Sequence, residues 1–184
     1  TIRDDIKVAL ADGLPAEGLN CEPHDLVHQT KRMFEHAYNL ERSGLKSQAQ
    51  KHYTKIIELI ETLHREKPTI CSHHTFAHIA FGHGKELFTF GKIEDSKKAF
   101  TRSIELLSKS INEGVSFPAI ELLAESLHWL ARCHRKIGDI DNARTTYYKL
   151  IPLLRNLLLF KLPNSKQEKL QVIQFRHKSA QDEL

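Results

Sequence analysis

Three glycines, Gly44, Gly91 and Gly138, stand 47 residues apart. Each opens the same kind of segment: GLKSQAQKHYTKIIELIETL, GKIEDSKKAFTRSIELLSKS and GDIDNARTTYYKLIPLLRNL. A fixed period of this length means that one structural unit is being stacked, which constrains the fold more than any local propensity does. Five residues past each glycine comes a small residue (Ala49, Ser96, Ala143) and nine past comes an aromatic one (Tyr53, Phe100, Tyr147). Ile57, Ile104 and Ile151 follow, then Ile60, Leu107 and Leu154. From the small residue onward the spacing is i, i+4, i+8, i+11, one face of an α-helix.

The segment before each glycine carries the same signature. Met33, Ala80 and Leu127 stand eleven residues before it, and Leu40, Leu87 and His134 four before it. Between them, seven before, come Ala37, Gly84 and Ala131, always small, as a close helix–helix approach requires. Each glycine therefore reads as the turn of an antiparallel helix hairpin, a place where φ > 0 costs glycine little. Pro23, Pro68 and Pro118 fall near the starts of the first helices, where a missing N–H does no harm. Ser116 is placed to cap the third of these. The predicted helices are 24–43, 46–65, 70–90, 93–112, 118–137 and 140–161, about 30 Å long each. They form repeats over 24–65, 70–112 and 118–161. Further helices are expected at 2–12 and 165–177, capping the ends of the array, with a Gly- and Pro-bearing loop over 13–23. Pro152 falls inside the last repeat helix and is expected to kink it. The expected fold class is all-α: tandem antiparallel hairpins with flanking capping helices, one domain over 1–184.

Composition removes several function classes. The 40% apolar and 27% charged content is that of a globular chain, and 8 Gly with 6 Pro argue against a turn-rich β sandwich. The net charge of +4 is spread without a basic stripe, so nucleic acid is disfavoured as a partner. A nucleic-acid-binding repeat using Arg132, Arg135 and Lys136 stands only as an alternative reading, beside a regulatory or metal-binding helical domain. Cys21, Cys71 and Cys133 are odd in number and widely spaced, which fits a reducing compartment and a cytoplasmic location and suggests neither disulfides nor a thiolate metal site. No apolar run is long enough for a membrane helix and no secretory leader is evident. Thr at position 1 leads us to expect a piece of a longer protein, and the final QDEL reads as a polar tail.

This pattern resembles the tetratricopeptide repeat. In that family a small residue sits at the eighth position of the first helix, glycine often sits near the turn, and Ala and an aromatic follow at the twentieth and twenty-fourth positions. The corresponding sets here are Ala37/Gly84/Ala131, Gly44/Gly91/Gly138, Ala49/Ser96/Ala143 and Tyr53/Phe100/Tyr147. The resemblance covers roughly 30–158 and is strongest at GDIDNA. The period departs from the usual value of about 34 residues, and the fourth position is never Trp. The resemblance implies a right-handed superhelix whose first helices line a concave groove holding a segment of another protein. Carried over residue by residue, the groove positions are Lys31, Phe34 and Tyr38, then His78, Phe81 and Lys85, then His128, Trp129 and Arg132. The Asn positions with which some members clamp a chaperone tail hold Tyr38 and Gly82, which disfavours that ligand.

Aromatic residues and Arg dominate binding hot spots, so this set points to a partner with an acidic or partly apolar segment. Catalysis finds little support. Neither a Gly-rich phosphate loop nor a nucleophile elbow occurs, and neighbouring Cys133 and His134 point about 100° apart on a helix. The stretch CSHHTFAHIAFGHG is rich in histidine, with His74 and His78 at i, i+4, but it lacks a further ligand at suitable spacing, so no metal and no cofactor are expected. The apolar run 150–160 leaves self-association open.

Overall fold

All three glycines that set the period adopt positive φ: 83° at Gly44, 75° at Gly91 and 79° at Gly138. No other described residue lies in the left-handed region. The computed structural model describes residues 23–69, 71–114, 116–159 and 167–182. They form seven helices and no strand: α1 Pro23–Arg42, α2 Lys46–Glu66, α3 His73–Thr89, α4 Ile93–Glu113, α5 Phe117–Lys136, α6 Ile140–Leu159 and α7 Gln167–Asp182. The expected helix over 2–12 and the expected loop over 13–23 lie outside the described residues except for Pro23, which begins α1.

Each glycine turn closes in the same way. The glycine N–H reaches back three residues (to the carbonyls of Glu41, Phe88 and Arg135), and the next N–H reaches back five (Leu40, Leu87 and His134). This is the Schellman pattern, which satisfies carbonyls orphaned at the helix end and needs the left-handed conformation at the glycine. In the third turn the apolar contact that usually accompanies the motif is replaced by a polar one. His134 Nδ1–H donates to Asp139 Oδ2 at 3.2 Å, while Asp139 Oδ1 accepts from the Asn142 N–H at 3.3 Å and so caps α6. These bonds hold the Asp139 carboxyl below the ordinary carboxylate range, the side-chain bond from Asn142 contributing most. Ser116 caps α5 by accepting from the Ala119 N–H. Helix α3 starts at His73 because Ser72 Oγ accepts from the Thr75 N–H, so Pro68 lies in the turn before it and not at the helix start. Helix α6 continues past Pro152, whose ring is exposed.

The chain divides into two compact units, Thr1–Ile79 and Ala80–Leu184, the boundary falling within α3. In the first unit α1 packs on α2. Phe34, Tyr38 and Tyr53 form an aromatic core with centroids 5.4 to 6.5 Å apart. The Tyr53 hydroxyl donates to Glu41 Oε2 at 3.0 Å. Burial first, and then this bond, pushes its pKa up.

In the second unit α4 packs on α5, α5 on α6 and α6 on α7. Small residues let the helices approach. Ser96 Oγ donates to the Gly84 carbonyl at 2.7 Å, and the Phe100 ring lies 2.9 to 3.1 Å from where a Cβ on Gly84 would stand. Between α4 and α5 the buried Ser103 and Ser126 hydroxyls bond each other at 3.0 Å, and Ser126 also donates to the Leu122 carbonyl. On the apolar stretch of α6, Leu150, Leu154 and Leu157 are buried, while Ile151, Leu153 and Leu158 are half-buried. Helix α7 lies over α6 with Ile173 and Ala180 buried, and Arg176 forms an ion pair with Glu125 of α5. That is the role expected of a terminal capping helix. It runs past 177 to Asp182 because Ala180, two turns beyond Ile173, continues the buried line.

Candidate functional site

Of the nine groove positions carried over from the resemblance, four converge in the second unit. Helix α3 supplies Phe81 and Lys85, one turn apart, and α5 supplies Trp129 and Arg132. The exposed Lys85 ammonium lies 5.5 Å from the Phe81 centroid and 5.8 Å from that of Trp129. The exposed Arg132 guanidinium lies 4.2 Å from the Trp129 centroid and 5.0 Å from that of Phe88. Behind these cations the rings support one another: Phe88 meets Trp129 edge-on at 5.2 Å, Phe100 stacks on Trp129 at 6.0 Å, and Phe81 tilts against Phe100 at 5.8 Å. Phe81 and Phe100 are buried, whereas Phe88 and Trp129 are half-buried. The result is an aromatic floor rooted in the core with two cations resting on it. Each cation–aromatic contact at an exposed site is worth roughly 0.5–1 kcal/mol and narrows the rotamers of a long side chain.

Local sequence explains why these side chains meet. Lys85 and Arg132 each directly follow the small residue of their repeat, Gly84 and Ala131, and so occupy equivalent positions. The small residues bring the helices close, and the next position emerges at the edge of the contact. Among the described residues neither cation forms an ion pair. Elsewhere in this unit Lys97, Lys98, Arg102 and Arg176 pair with Glu94, Asp95, Glu105 and Glu125. Phe88 is the member that sequence reasoning missed. Its signal was the i, i+3 spacing from Lys85, which sets it on the same helix face.

The remaining positions are placed differently. Phe34 and Tyr38 are core residues of the first unit, 4% and 3% exposed, and present no surface to a partner. Their aromatic rings at helical spacing fill the α1–α2 hairpin. Lys31 is exposed beside Glu35, 3.9 Å away, and His78 is exposed on α3. His128 is half-buried, its ring 6.5 Å from that of Tyr147.

The histidine-rich stretch spreads over both sides of its helix. The buried Cys71 has its thiol pushed up to about 12, far from a thiolate at neutral pH, and the His64 ring N–H donates to its backbone carbonyl at 2.7 Å. His64 and His73 meet edge-on at 4.7 Å. Burial lowers the pKa of His74, and brings that of His83 down to about 4 against a partial opposing effect of Asp95. Among the described residues no three His, Cys, Asp or Glu side chains gather as a metal set. Cys133 is buried with its sulfur 3.5 Å from Ser96 Oγ, burial raising its pKa, while the ring of His134 turns to Asp139. The two do not form a nucleophile–base pair.

Residues 124–152, which run from α5 through the Gly138 turn into α6, match the family model of the tetratricopeptide repeat. The chain is a tetratricopeptide-like repeat protein. Its match falls on the hairpin whose turn reads GDIDNA, and it includes Trp129 and Arg132 of the cation–aromatic cluster. A comparison with curated proteins finds no match. Tetratricopeptide repeats generally mediate protein–protein interaction, and the family is typically a non-enzymatic scaffold. No described helix is long and apolar enough to cross a membrane.

Proposed function

We propose that the protein is an interaction module and that the face made by Phe81, Lys85 and Phe88 of α3 with Trp129 and Arg132 of α5 receives an acidic, partly apolar segment of another protein. The observation that carries this reading is the pair of exposed cations held on an aromatic floor, neither of them paired with a carboxylate among the described residues. Aromatic residues and Arg supply most of the binding energy at protein interfaces, and a cation already held in place loses less entropy on binding. The half-buried rings provide apolar contact area, and the cations select for negative charge. This reading needs no reaction and no cofactor, and it fits a scaffold or adaptor.

The test is affinity capture with the wild type beside a Lys85→Glu/Arg132→Glu variant. An Arg144→Glu variant, on the exposed side of α6, controls for charge alone. Unfolding midpoints are matched first. Partners retained by the wild type and by Arg144→Glu but lost from the double variant are the expected result. Identical partner sets for all three proteins would remove this face from consideration.

A further inference from the structure

We propose that Lys85 and Arg132 jointly hold a phosphorylated side chain of the partner segment, its phosphomonoester bridged between one ammonium and one guanidinium at the edge of the Trp129 ring. This rests on the protein-binding reading above and specifies the charge that the segment carries.

Three observations lead to a dianion. The first is convergence: Lys85 Nζ at 5.8 Å and Arg132 Cζ at 4.2 Å approach the same ring centroid, so they lie at most 10.0 Å apart. Charge-assisted N–H···O contacts measure about 2.7–2.9 Å, so a phosphate gripped from two sides bridges donor nitrogens up to roughly 8 Å apart. The flexible Lys stem can close the remaining distance. The second is unmatched charge. Neither cation meets a carboxylate among the described residues, although Lys97, Lys98 and Arg102 on the neighbouring α4 each do. One carboxylate would neutralise one of the two cations, whereas a phosphomonoester carries about −1.5 to −2 at neutral pH and offers three acceptor oxygens. The third is the mix of donors. The guanidinium presents a planar fork suited to two oxygens, and its contact with Trp129 at 4.2 Å restrains the plane of that fork. The ammonium is a compact charge that can take the third oxygen.

The chain contains a single Trp, so its fluorescence reports on this site directly. Intact protein is titrated with three otherwise identical five-residue peptides, in which the central residue is phosphotyrosine, phosphoserine or Glu. Inorganic phosphate and a single-stranded oligonucleotide are titrated separately. The expected result is a saturable change in Trp129 emission with a phosphopeptide, at a Kd at least about ten-fold below that of the Glu peptide. Lys85→Met and Arg132→Met keep the stems, and each, titrated at a temperature where its unfolding curve shows it fully folded, should weaken phosphopeptide binding several-fold. Arg132→Lys should restore only part of the loss. Equal affinity for the Glu peptide overturns the phosphate assignment and leaves the acidic-segment reading standing. Inorganic phosphate binding as tightly as the phosphopeptides, or the oligonucleotide binding more tightly, overturns a phosphorylated protein as the source. No change in emission up to millimolar peptide overturns the proposal. If the capture experiment still loses partners with the double charge reversal, the broader reading survives that outcome; if it does not, both fall.

Discussion

Two glycines one residue apart on α3 have opposite consequences. A methyl on Gly82 would meet nothing within 4 Å, whereas one on Gly84 would meet the Phe100 ring at 2.9 Å. Phe100 is fully buried and has no room to retreat. Gly82→Ala should therefore stabilise the protein by about 0.5–1 kcal/mol through helix propensity alone. Gly84→Ala should destabilise it by roughly 1–2 kcal/mol, overpacking outweighing the same propensity gain. Paired urea titrations read both signs. Tyr38→Ala belongs with core truncations: it should cost about 3–5 kcal/mol, whereas Lys85→Met, which gives up two exposed cation–aromatic contacts, should cost no more than about 1–2 kcal/mol. The small residues of each repeat were legible because close helix packing leaves few alternatives to Gly, Ala and Ser. The division of aromatic residues between core and surface was not. Phe34, Tyr38, Phe81 and Trp129 share helical spacing, and only the neighbouring helices decide that Tyr38 is enclosed while Trp129 keeps an edge in water.

At the scale of the element, the turns were the most legible feature. Glycine at the same register three times leaves little besides a left-handed helix terminus, and the observed φ values are those of that conformation. Gly138→Ala should cost about 1 kcal/mol, since a Cβ in the left-handed region is strained even where space is open. Gly114, at φ 172°, is extended backbone, so Gly114→Ala should leave the denaturation midpoint where it is. Helix starts were less legible than turns. Pro68 drew the expected start of α3 to 70, but the side-chain cap that fixes the start belongs to Ser72. The length of α7 was underestimated because Ala180 is a weak hydrophobic signal in a polar sequence, although in the structure it is almost wholly buried.

For the molecule as a whole, pH should act chiefly through histidines kept neutral by burial. His83 has a folded pKa of about 4 against an ordinary value of 6.5. Above pH 6.5 both folded and unfolded forms are neutral, and stability does not depend on this group. As pH falls from 6.5 to about 4 the unfolded chain takes up a proton that the folded one refuses, and stability is lost by up to about 3 kcal/mol. His74, lowered for the same reason, acts in the same direction. Chemical denaturation of wild type and His83→Gln at pH 7 and pH 4.5 tests this: the wild type should lose more stability on acidification than the variant does. Equal losses would assign the acid sensitivity to other groups. The repeat architecture was legible from one period and three recurring positions, because stacked hairpins must present the same face each time. The cation–aromatic face was legible only in part, since Phe88 has no counterpart in the family pattern.

The notch at Gly84 also limits how interchangeable the repeats are. The first and third hairpins combine Ala, Ala and Tyr at their contact positions (Ala37, Ala49, Tyr53 and Ala131, Ala143, Tyr147), and the second combines Gly, Ser and Phe. The aromatic ring, the missing methyl and the hydroxyl that donates to the backbone at that spot fit as one triplet. An engineered array in which these three positions were exchanged independently among the hairpins would mix the triplets and set a Phe against an Ala. Chimeras from this chain should therefore exchange the three residues as a block.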